Sequence, residues 1–273
     1  MTARSPLTTL SAVVVGLYAL WALTFPSGDL RYRLTLVAEV DGREVSGSGV
    51  VDTHWTNAGP LYGIIAFLWD SSYRGQATVL DLGERGRLFV LFRRDPYRTG
   101  DSLRHLRGSL GSPSELVWRV IYAAFPEEET GNSKWIVWRA AMAKPSVAIG
   151  VDELPLVVRF RDPSDPATVE RVDPRDLAAT LGPGVALKRV TVEFVSRGWF
   201  PFDRIGRPPV LAGVPVGDDL LKVIPWLGDN QRVAGGLIPQ NVKDQRLWRG
   251  LEDDLGRSDF LDLEQRMNLR GQQ

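Results

Sequence analysis

The chain contains no cysteine, only two histidines and only three methionines in 273 residues. The first absence excludes disulfides, thiolate metal sites and cysteine nucleophiles. It leaves the compartment open, since bacterial envelope proteins often lack cysteine as well. With His54 and His105 alone, there is little material for imidazole chemistry, and no H-E-x-x-H or Cys₂His₂ metal pattern exists. There is no surplus of one charge: Lys+Arg and Asp+Glu are both 33, so bulk charge does not draw the chain to nucleic acid. A phosphate-binding G-x-x-x-x-G-K-[ST] loop is missing, and "GSG" (47–49) and "GSLGS" (108–112) do not make the G-x-S-x-G elbow of serine hydrolases. Each histidine reads as structural or solvated; the acidic runs Glu127–Glu129 and Glu252–Asp254 read as solvated faces. No catalytic, cofactor-binding or metal-binding residue is assigned, no cofactor is expected, and internal repeats and low-complexity tracts are absent.

Apolar residues make up 44% of the chain, enough for one large core or two small ones. The strongest feature lies at the start. From Ser5 to Gly28 there is no charge, and 7–25 is dense in Val, Leu, Ala and aromatics. About 20 apolar residues cross a bilayer as a helix, so the segment is just long enough. Tyr18 and Trp21 fall toward its C-terminal half, where interfacial aromatics collect. A signal-peptide core is shorter and ends at a small-x-small site, for which "ALWALTFPSG" offers only poor candidates such as Ala22-Leu23-Thr24. The expectation is therefore an uncleaved, single-pass anchor in a bacterial inner membrane, ahead of a cleaved signal or a buried helix. The six-residue tail before it fits a signal anchor with the body in the periplasm. Arginine counts on the two sides do not decide the orientation.

Beyond the anchor, "LRYRLTLVAEV" (30–40) alternates apolar and polar residues, the period of a half-buried strand. Asp41-Gly42 is a favoured hairpin pair, because both central positions of the turn need positive φ. Gly47 and Gly49 in the returning strand suggest a bulge or a close backbone approach. "GERG" separates "GQATVLDL" from "RLFVLFR" as a second hairpin, and "GPLYGIIAFLWD" (59–70) is an apolar run of either type. Residues 112–144 read as two helices. Ser112 or Ser114 caps the first, which Pro126 ends; Trp135, Trp138 and Met142 form one stripe of the second. "KWIVWRAAMAK" has some character of an interfacial helix, but at that length it reads as a core helix.

"RFRDPSDPATVERVDPRD" (159–176) poses a choice between an acidic cation site and turn chemistry. Three of its four aspartates directly precede proline. Asp accepts from a backbone amide two residues on, and Pro presets φ, so Asp162 and Asp165 fit turns between strands 154–162 and "ATVERV". "DPRDLAATLG" then reads as a short helix with Asp173 as N-cap, Pro174 first and Gly182 as the stop. A calcium loop needs six to eight oxygens at close spacing, which the prolines break up. The turn reading is preferred. "VALKRVTVEFV" (185–195) alternates again and closes the unit.

The segment 196–217 is rich in Pro and Gly. It places Trp199, Phe200 and Phe202 beside Arg197, Arg204 and Arg207, a set able to tuck under the core or to meet a partner or a membrane. Residues 241–269 carry a partial apolar stripe, Leu247, Leu251, Leu255, Leu261 and Leu263, on a charged helix or helix pair.

The block "LPLVVRFRDPSDPATVERVDPRDLAATLGPGVALKRVTVEF", with "YRLTLVAEV…SGSGVV", "ATVLDLGERGRLFVLF" and "IPWL", resembles a family of uncharacterised proteobacterial proteins with one N-terminal hydrophobic segment. The resemblance covers most of 30–195 in scattered blocks. It implies a host class and a topology but no activity and no catalytic residues. The chain departs from it over 196–217, where the relatives have a shorter link to the "PWL" block.

The expected fold is α+β: a tail (1–6), a transmembrane anchor (7–25), a mainly antiparallel sheet with packed helices (30–195), a Pro/Gly-rich region (196–240) and a helical C-terminal extension (241–273). Hairpins from 30–95 and 154–195 are expected to share one sheet. The expected function is a membrane-anchored, non-enzymatic binding or assembly module of the bacterial envelope. Its partners would be the bilayer and a protein. The alternative is a tethered hydrolase of unrecognised type, with His54 or His105 beside a serine and a carboxylate.

Overall fold

The computed structural model describes residues 13–16, 27–57, 69–93, 95, 113–126, 134–196, 214–216, 220–228 and 259–260. Alternation in the first soluble segment produces β1 (Ser27–Val40), whose Leu30, Tyr32, Leu34, Leu36 and Ala38 are all buried. Asp41 and Gly42 turn the chain with φ of 50° and 80°, as the paired positive-φ requirement anticipates. The chain returns as β2 (Arg43–Asn57), in unbroken register with β1 from Val40↔Arg43 to Ser27↔Thr56.

β3 (Trp69–Arg74) adds to the far edge of β2, and β4 (Thr78–Asp81) and β5 (Arg87–Val90) form the second hairpin. Its turn is a short 3₁₀ segment, Gly83–Arg85, held where Asp81 Oδ1 accepts the Gly83 N–H at 2.9 Å. Two helices follow, α1 (Pro113–Ala124) and α2 (Lys134–Ala143). Ser112 lies outside the described residues. Then come β6 (Ser146–Ala148), β7 (Val157–Phe160), β8 (Val169–Arg171), α3 (Leu177–Leu181), β9 (Val185–Val195) and α4 (Leu220–Val223).

The architecture is mixed α+β with antiparallel sheets and few helices, but the strands divide between two sheets. One has the order β3-β2-β1-β9-β6 and the other β4-β5-β7-β8. This corrects the single sheet expected from the two hairpin regions. β9 does not close the unit of β7 and β8; it crosses back to pair with β1. That pairing shifts between Val37↔Arg189 and Ala38↔Leu187, leaving Lys188 as an extra residue on β9.

The sheets meet where β2 passes β4, and glycine makes the meeting possible. A Cβ on Gly47 would sit 2.8 Å from Leu80 Cα, and one on Gly49 would sit 3.1 Å from Thr78 Cα. Of the two expectations for these glycines, close backbone approach is the one realised.

Two cores result. The first joins the inner face of β1 to Leu80, Leu88 and Val90 of the second sheet, to Leu82 in its hairpin turn and to the apolar faces of both helices. Among the described side chains of α2, Ile136, Val137 and Ala140 are buried, whereas Met142 is 67% exposed, so Met142 is not part of the packed face. The second core lies on the opposite face of the second sheet. Phe89, Leu91, Leu156, Val158 and Phe160 are covered there by Leu220, Ile224, Trp226, Leu227 and Phe260. β5 and the residue after it therefore bury both faces in alternation, Leu88 and Val90 one way, Phe89 and Leu91 the other. Phe260 is tied in by backbone as well: Ala77 N–H donates to its carbonyl at 2.8 Å, and Phe92 N–H donates to Asp259 O at 2.9 Å.

The aspartate-rich stretch is turn chemistry. Asp162 Oδ1 accepts from Ser164 N–H (2.9 Å) and Oγ–H (2.7 Å), and Asp165 Oδ1 accepts from Ala167 N–H (2.9 Å). Hydrogen bonds from Ser164 hold the Asp162 carboxyl below the usual carboxylate range. One detail differs from expectation. Asp176, not Asp173, caps α3, accepting from Ala179 N–H at 3.0 Å, while Asp173 accepts from Arg175 N–H at 3.0 Å and closes the preceding turn. Asp176 keeps non-helical φ and ψ of −138° and 72°, so the helix starts only at Leu177; Gly182 ends it with φ of 89°.

Residues 13–16 are helical. Among the described residues, which include only these four of the expected anchor, no helix is long and apolar enough to cross a membrane.

Candidate functional site

The outer face of the first sheet, opposite the core, collects the polar residues of β1, β2 and β3. Residues directly opposite in an antiparallel ladder share a face. The register therefore lines up transverse rows. Arg31, Asp52 and Arg74 form one row, and Asp29, His54 and Ser72 form the next.

In the first row, Arg31 is 9% exposed although it carries a full charge. Its Nη2 meets Asp52 Oδ2 at 3.3 Å and its Nη1 donates to the Val214 carbonyl at 2.5 Å. Its Nε is buried without a hydrogen bond among the described residues. Arg74 is exposed and makes no ion pair among the described residues. Farther along, Arg33 Nη1 meets Glu193 Oε1 at 2.7 Å.

In the second row, His54 Nδ1 is hydrogen-bonded to Asp29 Oδ1, with the imidazole side chain 45% exposed. Asp29 thus fixes the ring through one nitrogen and leaves Nε2 as the open one. Ser72, the cross-strand neighbour of His54 on β3, is exposed. Neither Nε2 nor the Ser72 hydroxyl makes a hydrogen bond among the described residues. A carboxylate, an imidazole and a hydroxyl thus stand in one row, an order able to take up and pass on a proton.

Sequence reasoning named His54 but not its companions. They come from other strands, and only the register shows which residues they are. The loop candidates Trp199, Phe200, Phe202, Arg197, Arg204 and Arg207 lie outside the described residues, as does His105.

No family model matches the chain, and no curated protein or solved structure matches it.

Proposed function

We propose that this chain is a membrane-tethered binding or assembly module of the bacterial cell envelope. Its segment 7–25 is the single-pass anchor in the inner membrane, and its folded body lies in the periplasm. The observation that carries the reading is the environment of the helical residues 13–16. Val13, Val14 and Val15 are 52%, 57% and 65% exposed. Successive helical residues step by about 100°, so three in a row sweep more than half the circumference. A helix uncovered over that arc is not packed as a core helix is, and three adjacent valines facing outward are stable where the surroundings are lipid.

The short distance to the body adds support. β1 begins at Ser27, only two residues along the sequence from the end of the apolar stretch 7–25. The resemblance to proteobacterial proteins with one N-terminal hydrophobic segment fits the same reading. The aromatic and arginine-rich segment 196–217 is the favoured contact for a protein partner.

The test is fractionation of cells producing the full chain. The protein is expected in the membrane pellet after alkaline carbonate washing and in solution only with detergent. Recovery of the intact chain from the aqueous fraction would refute the tether. Deleting 196–217 is expected to remove co-purifying proteins, and an unchanged set would clear that segment of the role.

A further inference from the structure

We infer that the Asp29–His54–Ser72 row is a reactive serine site for carboxylic esters, a property beyond the tether-and-bind reading and independent of it. A nucleophilic serine needs a base within reach of its hydroxyl and a third group to hold that base in the right tautomer. The first sheet sets a carboxylate, an imidazole and a hydroxyl side by side on three adjacent strands. Asp29 on β1 engages His54 Nδ1, and this bond places the ring proton on Nδ1 and leaves Nε2 as the lone-pair nitrogen. Ser72 on β3 is the direct partner of His54 in the ladder, so the two side chains leave the same face with Cβ atoms about 4.5–5.5 Å apart. The hydroxyl is exposed, and no hydrogen bond among the described residues holds it away from the ring.

A fourth group is placed to help. Arg74 lies two residues along β3 from Ser72, hence on the same face, and it is exposed without an ion pair among the described residues. Its guanidinium supplies positive charge next to the position where a tetrahedral oxyanion develops.

The chemistry balances without any further reagent. Ser72 Oγ bonds to the ester carbonyl carbon as its proton passes to His54 Nε2. The carbon–oxygen bond to the alcohol then breaks, and the alcohol leaves with that proton. Water attacks the acyl-serine in the same way, giving the free acid and restoring the hydroxyl. Asp29 is a positioning residue in this scheme, because it acts through the imidazole.

The experiment treats the full chain, in mild detergent, with a fluorophosphonate probe. Serine Oγ displaces fluoride from this reagent and is left as a stable phosphonyl ester. One adduct is expected, on the peptide containing Ser72, and it should be absent from Ser72→Ala. His54→Gln should slow labelling by about 100-fold or more, the usual contribution of a positioned base. Asp29→Asn should slow it as well, with partial recovery in Asp29→Glu, and Arg74→Gln should slow it without moving the adduct. The inference is overturned if the wild-type chain, shown folded by its unfolding transition, takes no label at Ser72. It is overturned equally if labelling spreads over many serines, or if His54→Gln reacts at the wild-type rate. Fractionation does not enter this readout, so the tether and the reactive serine stand or fall separately.

Discussion

Gly47→Ala is the sharpest probe of the way the two sheets are joined. The added Cβ would sit 2.8 Å from Leu80 Cα, 3.1 Å from Val79 C and nearer still to Val79 O. Relaxed carbon–carbon contacts lie at about 3.5–4.0 Å, so the strands must part by roughly 0.7 Å or more. The obstacle is backbone. Val79 and Leu80 are laddered to Phe89 and Leu88, and those residues lie between two cores, so neither can swing aside as a flexible side chain would. Overpacking of this kind costs about 1–3 kcal/mol, and immobile neighbours put the cost near the upper end. Replacing glycine returns about 0.4–1 kcal/mol by narrowing the unfolded ensemble, which leaves a net loss of roughly 2 kcal/mol. Gly150→Ala is the matched control: its φ is −67°, and its new Cβ would come no nearer than an ordinary 3.5 Å, to Glu153 Oε2, with Asp152 N and Glu153 Cγ at 3.9 Å. Urea unfolding of the full chain in non-ionic micelles, followed by tryptophan fluorescence, measures both. If the two variants unfold within about 0.5 kcal/mol of each other, the sheets do not touch through Gly47 and the packing argument fails.

Two further outcomes test the interior. Asp95 is fully buried and receives Arg171 through Nε at 3.0 Å and Nη2 at 2.9 Å, so Arg171→Ala removes the two-point guanidinium contact to a buried carboxylate and should cost about 3 kcal/mol. Arg87→Ala breaks the exposed pair with Asp81 and should cost under about 1 kcal/mol; equal losses in urea unfolding would contradict this contrast. Burial pushes the Tyr32 phenol far above its ordinary range. A raised folded-state value means that its contribution is complete below the unfolded pKa of about 10 and declines as the pH rises beyond it. Wild-type stability should therefore fall by up to about 1.4 kcal/mol per pH unit more steeply than that of Tyr32→Phe between pH 10 and 11, and parallel curves in urea melts across that range would contradict the assignment.

Local features were legible in the sequence, and long-range partnerships were not. The alternation of 30–40, the Asp41-Gly42 turn, the "GERG" hairpin and the aspartate turns of 162–176 each depend on residues a few positions apart. Their physics is written in the nearest neighbours. The assignment of β9 to β1 depends on an inner face completed by residues more than a hundred positions away, and alternation alone names a strand without naming its partner. The helix α2 shows the same limit at Met142, an apolar residue that is exposed because the side toward β1 accepts Ile136, Val137 and Ala140. The reactive row was hidden most deeply, since Asp29, His54 and Ser72 look unremarkable until three strands are set in register. The aromatic and arginine candidates of 196–217 lie outside the described residues, and their contact role stays a proposal.

The placement of Phe260 bears on how the protein is made. A ribosome delivers β4 and β5 early, yet the ring that seals their outer side is encoded most of a chain later. Until it emerges, Phe89, Leu91 and Phe160 present a greasy surface to whatever is nearby. Biogenesis thus passes through a half-dressed state in which a chaperone is the natural temporary cover.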